Sequence, residues 1–304
     1  MSITLQYHWK RLNPTQQPRP HLGSSLVFDK KQQRSILNAA GETWLWDGVT
    51  WSKAQSTPPA RNSTHQIYDT GTESVLLFGG IGLDGTPLND TWIWDGTTWK
   101  EQHPADFPSP LGGAAIAYIA TQQQVILFGG ITGFDGTSGS NRTGTLLNDT
   151  WIWDGTTWTE MLVSNAPPKR VSVQLIYDEL HQQTLLFGGN LNDMWRWNGT
   201  GWDELHPATL PPFQARYSTV YHKQLQQVML LAELREGGKL THQIWLWDGT
   251  TWSQSSMTED LMGTVEGLAY DETRNLVIAN VVTGGKLVST ENPAPLESET
   301  WVWG

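Results

Sequence analysis

The chain of 304 residues contains no cysteine, which excludes disulfide bonds, thiolate metal sites and cysteine nucleophiles. Positive charge is scarce as well, because 19 lysines and arginines stand against 30 aspartates and glutamates, for a net charge of −11. An acidic chain of this kind is poorly suited to nucleic acid or to an anionic membrane surface. We therefore expect neither as a partner.

Long apolar runs and helical periodicity are also missing. The opening MSITLQYHWK lacks the apolar stretch of a signal peptide, and no segment is long enough to cross a membrane. These absences predict a soluble, cytoplasmic protein. Without a helical period, the chain is predicted to be all-β.

Tryptophan is abundant, and its eighteen copies fall in a repeat. Two segments read WIWDGTTW, and others read WRWNGTGW, WLWDGTTW and WLWDGVTW, while the chain ends on WVWG. The second tryptophan of each unit recurs at intervals of 44 to 59 residues. Spacing of this kind is typical of four-stranded propeller blades.

Each unit predicts four short strands. The first ends in an aromatic residue, usually followed by aspartate, and the second is an apolar run such as SVLLFGG. The third carries the Trp-x-Trp pair, and the fourth starts at the third tryptophan. The intervening Asp-Gly predicts a hairpin, because glycine readily adopts the positive φ of a tight turn. The apolar runs do not alternate with polar residues, which indicates strands buried on both faces between stacked blades.

The last unit lacks its third tryptophan, and Trp9 is the one copy left unassigned. Like Trp99 and Trp202, Trp9 is followed by proline at the fifth position. We predict that a strand at about residues 5–12 joins the C-terminal blade and closes the ring, which removes the open sheet edges. The predicted fold is one domain over residues 1–304, a six-bladed β-propeller of four-stranded antiparallel blades.

A double glycine after an apolar run, a polar loop, and then NDTW with a second tryptophan resembles the kelch repeat of bacterial, tryptophan-rich type. The resemblance covers essentially the whole chain and is clearest in the second to fourth units. It implies a propeller fold and, for most members, an interaction module. Galactose oxidase is a kelch-type propeller whose copper site requires a cysteine, and the iron-site spacing of plant specifier proteins is also absent here. We therefore expect no metal and no cofactor.

Binding residues are expected where the variable loops of a propeller meet on one face. The longest such loop, 131–149, carries Phe134, Asp135 and Arg142 near its tip, and a second spans 283–299. They belong to the third and sixth units, which lie on opposite sides of a six-membered ring and would form two walls of a cleft. The alternative is that both loops are tolerated insertions.

A second group of candidates precedes the innermost strands. Arg61 and Arg170 lie seven residues before the tyrosine of their units, Arg216 lies nearby, and His21 is the equivalent in the first unit. Converging guanidinium groups would bind a carboxylate or phosphate of an anionic ligand. Alternatively, each arginine pairs with an acidic residue of a neighbouring blade.

His65, Tyr217 and Glu266 are predicted to lie deeper in the channel and are the candidates for general acid–base catalysis. The leading prediction is a non-catalytic propeller that binds a protein, peptide or glycan through the variable-loop face and channel mouth. One alternative is a hydrolase, lyase or cyclase acting at the channel mouth. A second is a multivalent lectin with exposed indoles, although tryptophans at the same positions in every unit favour packing between blades.

Overall fold

A computed structural model describes residues 7–39, 41–133, 144–213, 215–237, 239–255, 261–285 and 294–304. Within these ranges the chain forms 25 strands arranged in six antiparallel sheets. None of these residues belongs to a helix that is long and apolar enough to cross a membrane. The predicted all-β fold is confirmed.

Each sheet is one blade, and the blades follow one another along the chain. The first three blades comprise β2 (Ser25–Asp29), β3 (Arg34–Ala39), β4 (Glu42–Trp46) and β5 (Trp51–Lys53); β6 (Arg61–Asn62), β7 (His65–Asp69), β8 (Ser74–Gly82), β9 (Pro87–Trp94) and β10 (Trp99–Gln102); and β11 (Ala115–Ile119), β12 (Gln124–Phe128), β13 (Thr150–Trp153) and β14 (Trp158–Met161).

The remaining blades have the same strand order. They comprise β15 (Val173–Asp178), β16 (Gln183–Gly188), β17 (Met194–Trp197) and β18 (Trp202–Leu205); β19 (Arg216–His222), β20 (Gln227–Glu236), β21 (Lys239–Trp247) and β22 (Trp252–Gln254); and β23 (Thr264–Asp271), β24 (Leu276–Gly285), β25 (Ala294–Trp303) and β1 (Trp9–Leu12).

One strand of each blade lies innermost and lines the axis of the ring. Strands β2, β7, β11, β15, β19 and β23 contact one another in that order, and β23 also contacts β2. The six blades therefore form a closed ring, in which blade one lies opposite blade four and blade three lies opposite blade six.

The N-terminal strand completes blade six, as the tryptophan count predicts. Strand β1 begins at Trp9 and pairs antiparallel with β25, with Trp9 opposite Trp303 and Leu12 opposite Thr300. This is the register that joins the third and second tryptophans elsewhere, for example Trp99 opposite Trp94. The predicted ring closure is confirmed.

The second and third tryptophans of every blade form the packing between blades. All twelve are at most 6% exposed. In blades one to five the two rings of a blade lie 5.2–5.6 Å apart, and in blade six Tyr7 stacks on Trp303 at 4.6 Å. Large amphipathic rings bury much apolar area, which explains their repetition at these positions.

The glycines of the repeat fall where a side chain does not fit. Gly96 of the Asp-Gly hairpin has a φ of +101°, and the Asp95 carboxylate accepts hydrogen bonds from the backbone of Thr97 and Thr98. A Cβ on Gly79 would approach the Leu88 carbonyl oxygen to 2.9 Å. The predicted Asp-Gly hairpin is therefore confirmed, and the close approach at Gly79 leaves no room for a side chain.

The two ends of the ring differ in character. In five of the six blades the turn after the inner strand contacts the Asp-Gly or Asn-Gly hairpin of the next blade, as Gln32 does at Gly96 and His181 does at Gly249. We call this end the turn face. The opposite end carries the second-to-third-strand loops and the blade connections, and we call it the loop face.

Candidate functional site

A central cavity of about 650 Å³ runs along the axis of the ring and is lined by the inner strands of all six blades. Side chains alternate between the two faces of a strand, so every second residue of an inner strand points into the channel. The lining is therefore arranged in four successive tiers from the loop face to the turn face.

The mouth tier lies at the loop face and consists of Gly23, Ser63, Gly113, Ser172, Arg216 and Glu266. Its first four members all have left-handed φ angles. The Ser172 N–H donates to the Gly113 carbonyl at 3.2 Å, and the Gly113 N–H donates to the Ser63 carbonyl at 3.1 Å. Backbone hydrogen bonds thus link neighbouring blades around the mouth.

Blades five and six continue this belt with side chains. The Arg216 guanidinium binds the Glu266 carboxylate through two hydrogen bonds of 2.8 and 3.0 Å, and the Gly23 N–H donates to the same carboxylate at 2.6 Å. Glu266 is buried, whereas 46% of the Arg216 side chain is exposed. The sequence anticipated such pairing with a neighbouring blade as one of two alternatives.

Two further ionisable side chains, Glu233 and His21, lie near the Arg216–Glu266 pair. Burial raises the pKa of Glu233 to about 7, although the nearby Arg216 opposes the shift, and its carboxylate accepts a 3.0 Å hydrogen bond from the Val265 N–H. Burial also lowers the pKa of His21, against the opposing effect of Glu266. Arg216 is therefore flanked by two carboxylates, so its positive charge is compensated.

Arg61 and Arg170 are also paired, in each case with an aspartate of their own blade. Arg61 binds both carboxylate oxygens of Asp90 at 2.5 and 2.7 Å, and Arg170 binds both of Asp193 at 2.6 Å. Each also donates to the carbonyl of the double glycine, at Gly79 and Gly188 respectively. Both guanidinium groups are buried in these bonds. The interpretation that they bind an anionic ligand stays a prediction.

The polar tier lies below the mouth and contains Ser25, His65, Gln174 and Ser218, with Ala115 and Gly267 completing the ring. Burial lowers the pKa of His65 to about 4, so its imidazole is neutral at pH 7. In the part of the chain that the structure describes, neither His65 nor Ser218 has a hydrogen-bond partner for its side chain. Their polar atoms are thus available to a ligand in the channel.

The aliphatic tier follows, and every one of its members is apolar: Val27, Ile67, Ala117, Ile176, Val220 and Ala269. Ile67 and Ile176 remain partly exposed to the channel. This tier forms the apolar floor beneath the hydrogen-bonding groups.

A charged tier closes the channel at the turn face. Lys30 lies 2.6 Å from the Glu272 carboxylate and 3.8 Å from that of Glu179, and Lys223 lies 3.0 Å from Glu272. Lys30 belongs to blade one and Glu179 to blade four, so this contact crosses the channel. The cavity is therefore most accessible from the loop face.

Tyr217 borders the same cavity, but its side chain is held between two blades. The Tyr217 hydroxyl donates to the Pro212 carbonyl at 2.6 Å, and a Cβ on Gly188 would lie 3.0 Å from its ring, so Tyr217 packs between blades four and five. Phe134, Asp135 and Arg142 lie outside the described residues. Their proposed role in a cleft wall stays a prediction.

Sequence reasoning did not identify Glu233, Gln174 or Ser218. Gln174 and Ser218 lie three residues before the tyrosine of their inner strands, as His65 does, so the strand register could have revealed them. Glu233 lies on a second strand and enters this region only because β20 pairs with β19 opposite Arg216. Among the described residues, no group of three histidines or acids is arranged to hold a metal ion.

A scan against protein-family models finds no match, and neither does a search of curated proteins. The six-bladed architecture with its tryptophan clusters therefore rests on the geometry described above.

Proposed function

We propose that this protein is a non-catalytic binding module that holds a peptide segment of a partner protein at the loop face and channel mouth. The cavity carries the proposal: about 650 Å³ lies within the ~300–1,000 Å³ of small-ligand sites. Its walls are inner strands locked into a ring, so the site is preorganised. We also propose that the chain is related to the kelch-repeat proteins and that it is located in the cytoplasm.

Apolar side chains around the mouth support a protein partner. Within the described ranges, most of the large apolar side chains that are exposed lie on the loop face: Leu22, Leu83, Phe107, Leu146, Leu191, Phe213, Met262 and Leu296. Exposed apolar groups that surround a polar cavity are typical of surfaces that bind other proteins.

A glycan ligand is less well supported. Lectin sites commonly use exposed aromatic rings, but the tryptophans at the second and third positions of each blade are buried between blades. The multivalent lectin predicted as an alternative therefore has none of those twelve indoles available for stacking.

A small-molecule enzyme is the second candidate, and the shifted pKa values of His65 and Glu233 favour it. Two of the predicted acid–base residues are engaged, because Glu266 binds Arg216 and Tyr217 binds Pro212. His65 lines the cavity, but a pKa of about 4 is far from the neutral pH at which a general base works best. Binding is therefore better supported than catalysis.

The test is selection of peptides displayed on phage against the full chain. A selected peptide is then synthesised with capped termini, and its Kd is measured for the native chain and for Ala115→Leu. Ala115 lines the polar tier on blade three, so a larger side chain there narrows the channel. We expect at least a tenfold weaker affinity, while Val49→Leu, on an exposed hairpin of the turn face, leaves it unchanged. Equal affinity for a folded Ala115→Leu protein would contradict the proposal.

A further inference from the structure

The polar tier offers hydrogen-bonding groups without charge. A neutral imidazole provides one donor and one acceptor, and the Ser218 hydroxyl provides both. The Gln174 amide oxygen accepts a 3.0 Å hydrogen bond from the Thr219 hydroxyl, which fixes the orientation of the amide. A peptide amide, with one N–H and one carbonyl, matches this set of groups.

The aliphatic tier lies two residues further along each inner strand, at about 7 Å for a rise of ~3.3 Å per residue. A side chain of leucine size spans such a distance from its own backbone amide. Ile67 and Ile176, on blades two and four, would then contact its end. Apolar burial at this depth favours a ligand that places an aliphatic group below its amide.

Charged groups stand at both ends of the channel, and those that face the cavity are compensated. Arg216 is bound to Glu266 above, and Lys30 and Lys223 are bound to Glu272 below. Between these ends, the environment that lowers the pKa of His65 by desolvation also penalises a charged ligand group. A ligand charge at mid-channel would therefore lose hydration without gaining a free counter-charge.

We infer that the part of the ligand entering the channel is an uncharged, amide-bearing segment that ends in an aliphatic side chain. This inference rests on the proposed peptide-binding function and specifies its ligand. His65 and Ser218 contact the amide, and the aliphatic tier contacts the side chain.

The test uses four capped amino acids as probes: N-acetyl-leucinamide, N-acetyl-asparaginamide, N-acetyl-aspartamide with a free side-chain carboxylate, and N-acetyl-lysinamide. Leucine, asparagine and aspartate have nearly the same shape and differ in polarity and charge. Ligand-observed NMR titration at pH 7 measures the Kd of each probe for the full chain. We expect the leucine probe to bind at least fivefold more tightly than the aspartate and lysine probes, with asparagine between them.

Variants assign the two tiers separately. Ser218→Ala is expected to weaken the binding of the leucine and asparagine probes by a similar factor of about two to five, because both probes present the same amides. Ile67→Thr is expected to weaken the binding of the leucine probe alone. Val49→Leu, outside the channel, serves as the control for both variants, and circular dichroism verifies the fold.

The outcomes separate this inference from the proposed function. If the aspartate or lysine probe binds the channel as tightly as the leucine probe, the uncharged class is wrong, although a peptide site remains. If no probe binds, or if every Kd is unchanged in Ala115→Leu, both the inference and the proposed function are overturned.

Discussion

At the scale of single residues, hydrogen bonds from the indole N–H of the third tryptophan join neighbouring blades. In four interfaces the acceptor is a threonine hydroxyl at 2.7–3.1 Å: Trp51 to Thr300, Trp99 to Thr43, Trp158 to Thr91 and Trp202 to Thr150. At the two remaining interfaces the corresponding residues are Met194 and Ile244. Among the third tryptophans of the described chain, those of these two interfaces, Trp252 and Trp9, have a buried indole nitrogen without a hydrogen-bond partner.

Thr91→Val should destabilise the protein by about 1–3 kcal/mol, because it keeps the side-chain shape and leaves the Trp158 N–H buried without an acceptor. Urea unfolding followed by tryptophan fluorescence measures the change. Thr209→Val, at an exposed position, is the matched control and should change stability by less than ~0.5 kcal/mol. A loss no larger than in the control would show that the hydroxyl does not stabilise the interface.

Ile244→Thr tests the same rule in the opposite direction, because it supplies the hydroxyl that Trp9 lacks. Ile36→Thr is the control, since Ile36 and Ile244 are both fully buried and the two changes remove the same apolar groups. We expect Ile244→Thr to lower the free energy of unfolding by at least ~1 kcal/mol less than Ile36→Thr does, because Ile244→Thr gains a hydrogen bond. Equal losses of stability in the two variants, measured by urea unfolding, would contradict this expectation.

At the scale of elements, the ring is held closed by one short strand. Strand β1 contributes four residues to blade six, and among the described strands it pairs with β25 alone. Its loss would leave β25 as an open sheet edge, which is a site for aggregation. Trp9 anchors the strand in a buried cluster with Trp303 and residues of blade five.

A disulfide across this closure should therefore stabilise the whole ring. Lys10 pairs with Val302, and directly opposite antiparallel residues have Cα atoms about 4.5–5.5 Å apart, which suits a disulfide. We expect oxidised Lys10→Cys/Val302→Cys to unfold at a higher temperature than its reduced form. The native chain has no cysteine that could compete.

The single variant Lys10→Cys and the off-register pair Lys10→Cys/Ser298→Cys are the controls, since Ser298 pairs with Val282 instead. Neither should show a difference in melting temperature between oxidising and reducing buffer. An unchanged melting temperature in the in-register pair would show that unfolding does not begin at this closure.

At the scale of the whole molecule, stability depends on histidines that the assembled ring buries in neutral form. His222 is fully buried against Tyr270 and Trp303, and its Nδ1 accepts a hydrogen bond from the Leu225 N–H. Desolvation lowers its pKa to about 4, as it does for His65. Below pH 6.5 the unfolded chain binds protons at these residues that the folded protein does not.

The free energy of unfolding should therefore fall as pH decreases from about 6.5 to 4. Each histidine contributes a slope of up to ~1.4 kcal/mol per pH unit. Glu233 has the opposite effect on stability, because its pKa is raised to about 7 in the folded protein. Its contribution to the free energy of unfolding is complete below pH 4.5 and is lost as pH rises through 7. The measurement is best made in Glu233→Gln, which removes this opposing contribution.

In the Glu233→Gln background, His222→Asn should reduce the slope of the free energy of unfolding against pH between about 6.5 and 4. The reduction corresponds to about one proton, and urea unfolding at several pH values measures it. His206→Asn, the same substitution at an exposed position, is the control. A slope that is the same in both variants would show that His222 does not titrate with folding.

Much of the fold could be predicted because it depends on local patterns. Trp-x-Trp, Asp-Gly and the double glycine each specify a strand or turn within a few residues, and eighteen tryptophans shared among six units assign Trp9 to the last blade. The position of the site residues depended on this register only in part. His65 lines the channel below the mouth, whereas Glu266 lies at the mouth itself and the Tyr217 hydroxyl binds the Pro212 carbonyl.

The sequence by itself determined the blade count, the strand order and the ring closure, because backbone geometry and burial repeat with the same short motif. Only the tertiary structure decided the chemistry of the channel. Arg61 and Arg170 find their aspartates within the blade, while Arg216 finds Glu266 across a blade interface. Partners that are distant in sequence, and the burial that shifts each pKa, exist only once the ring has assembled.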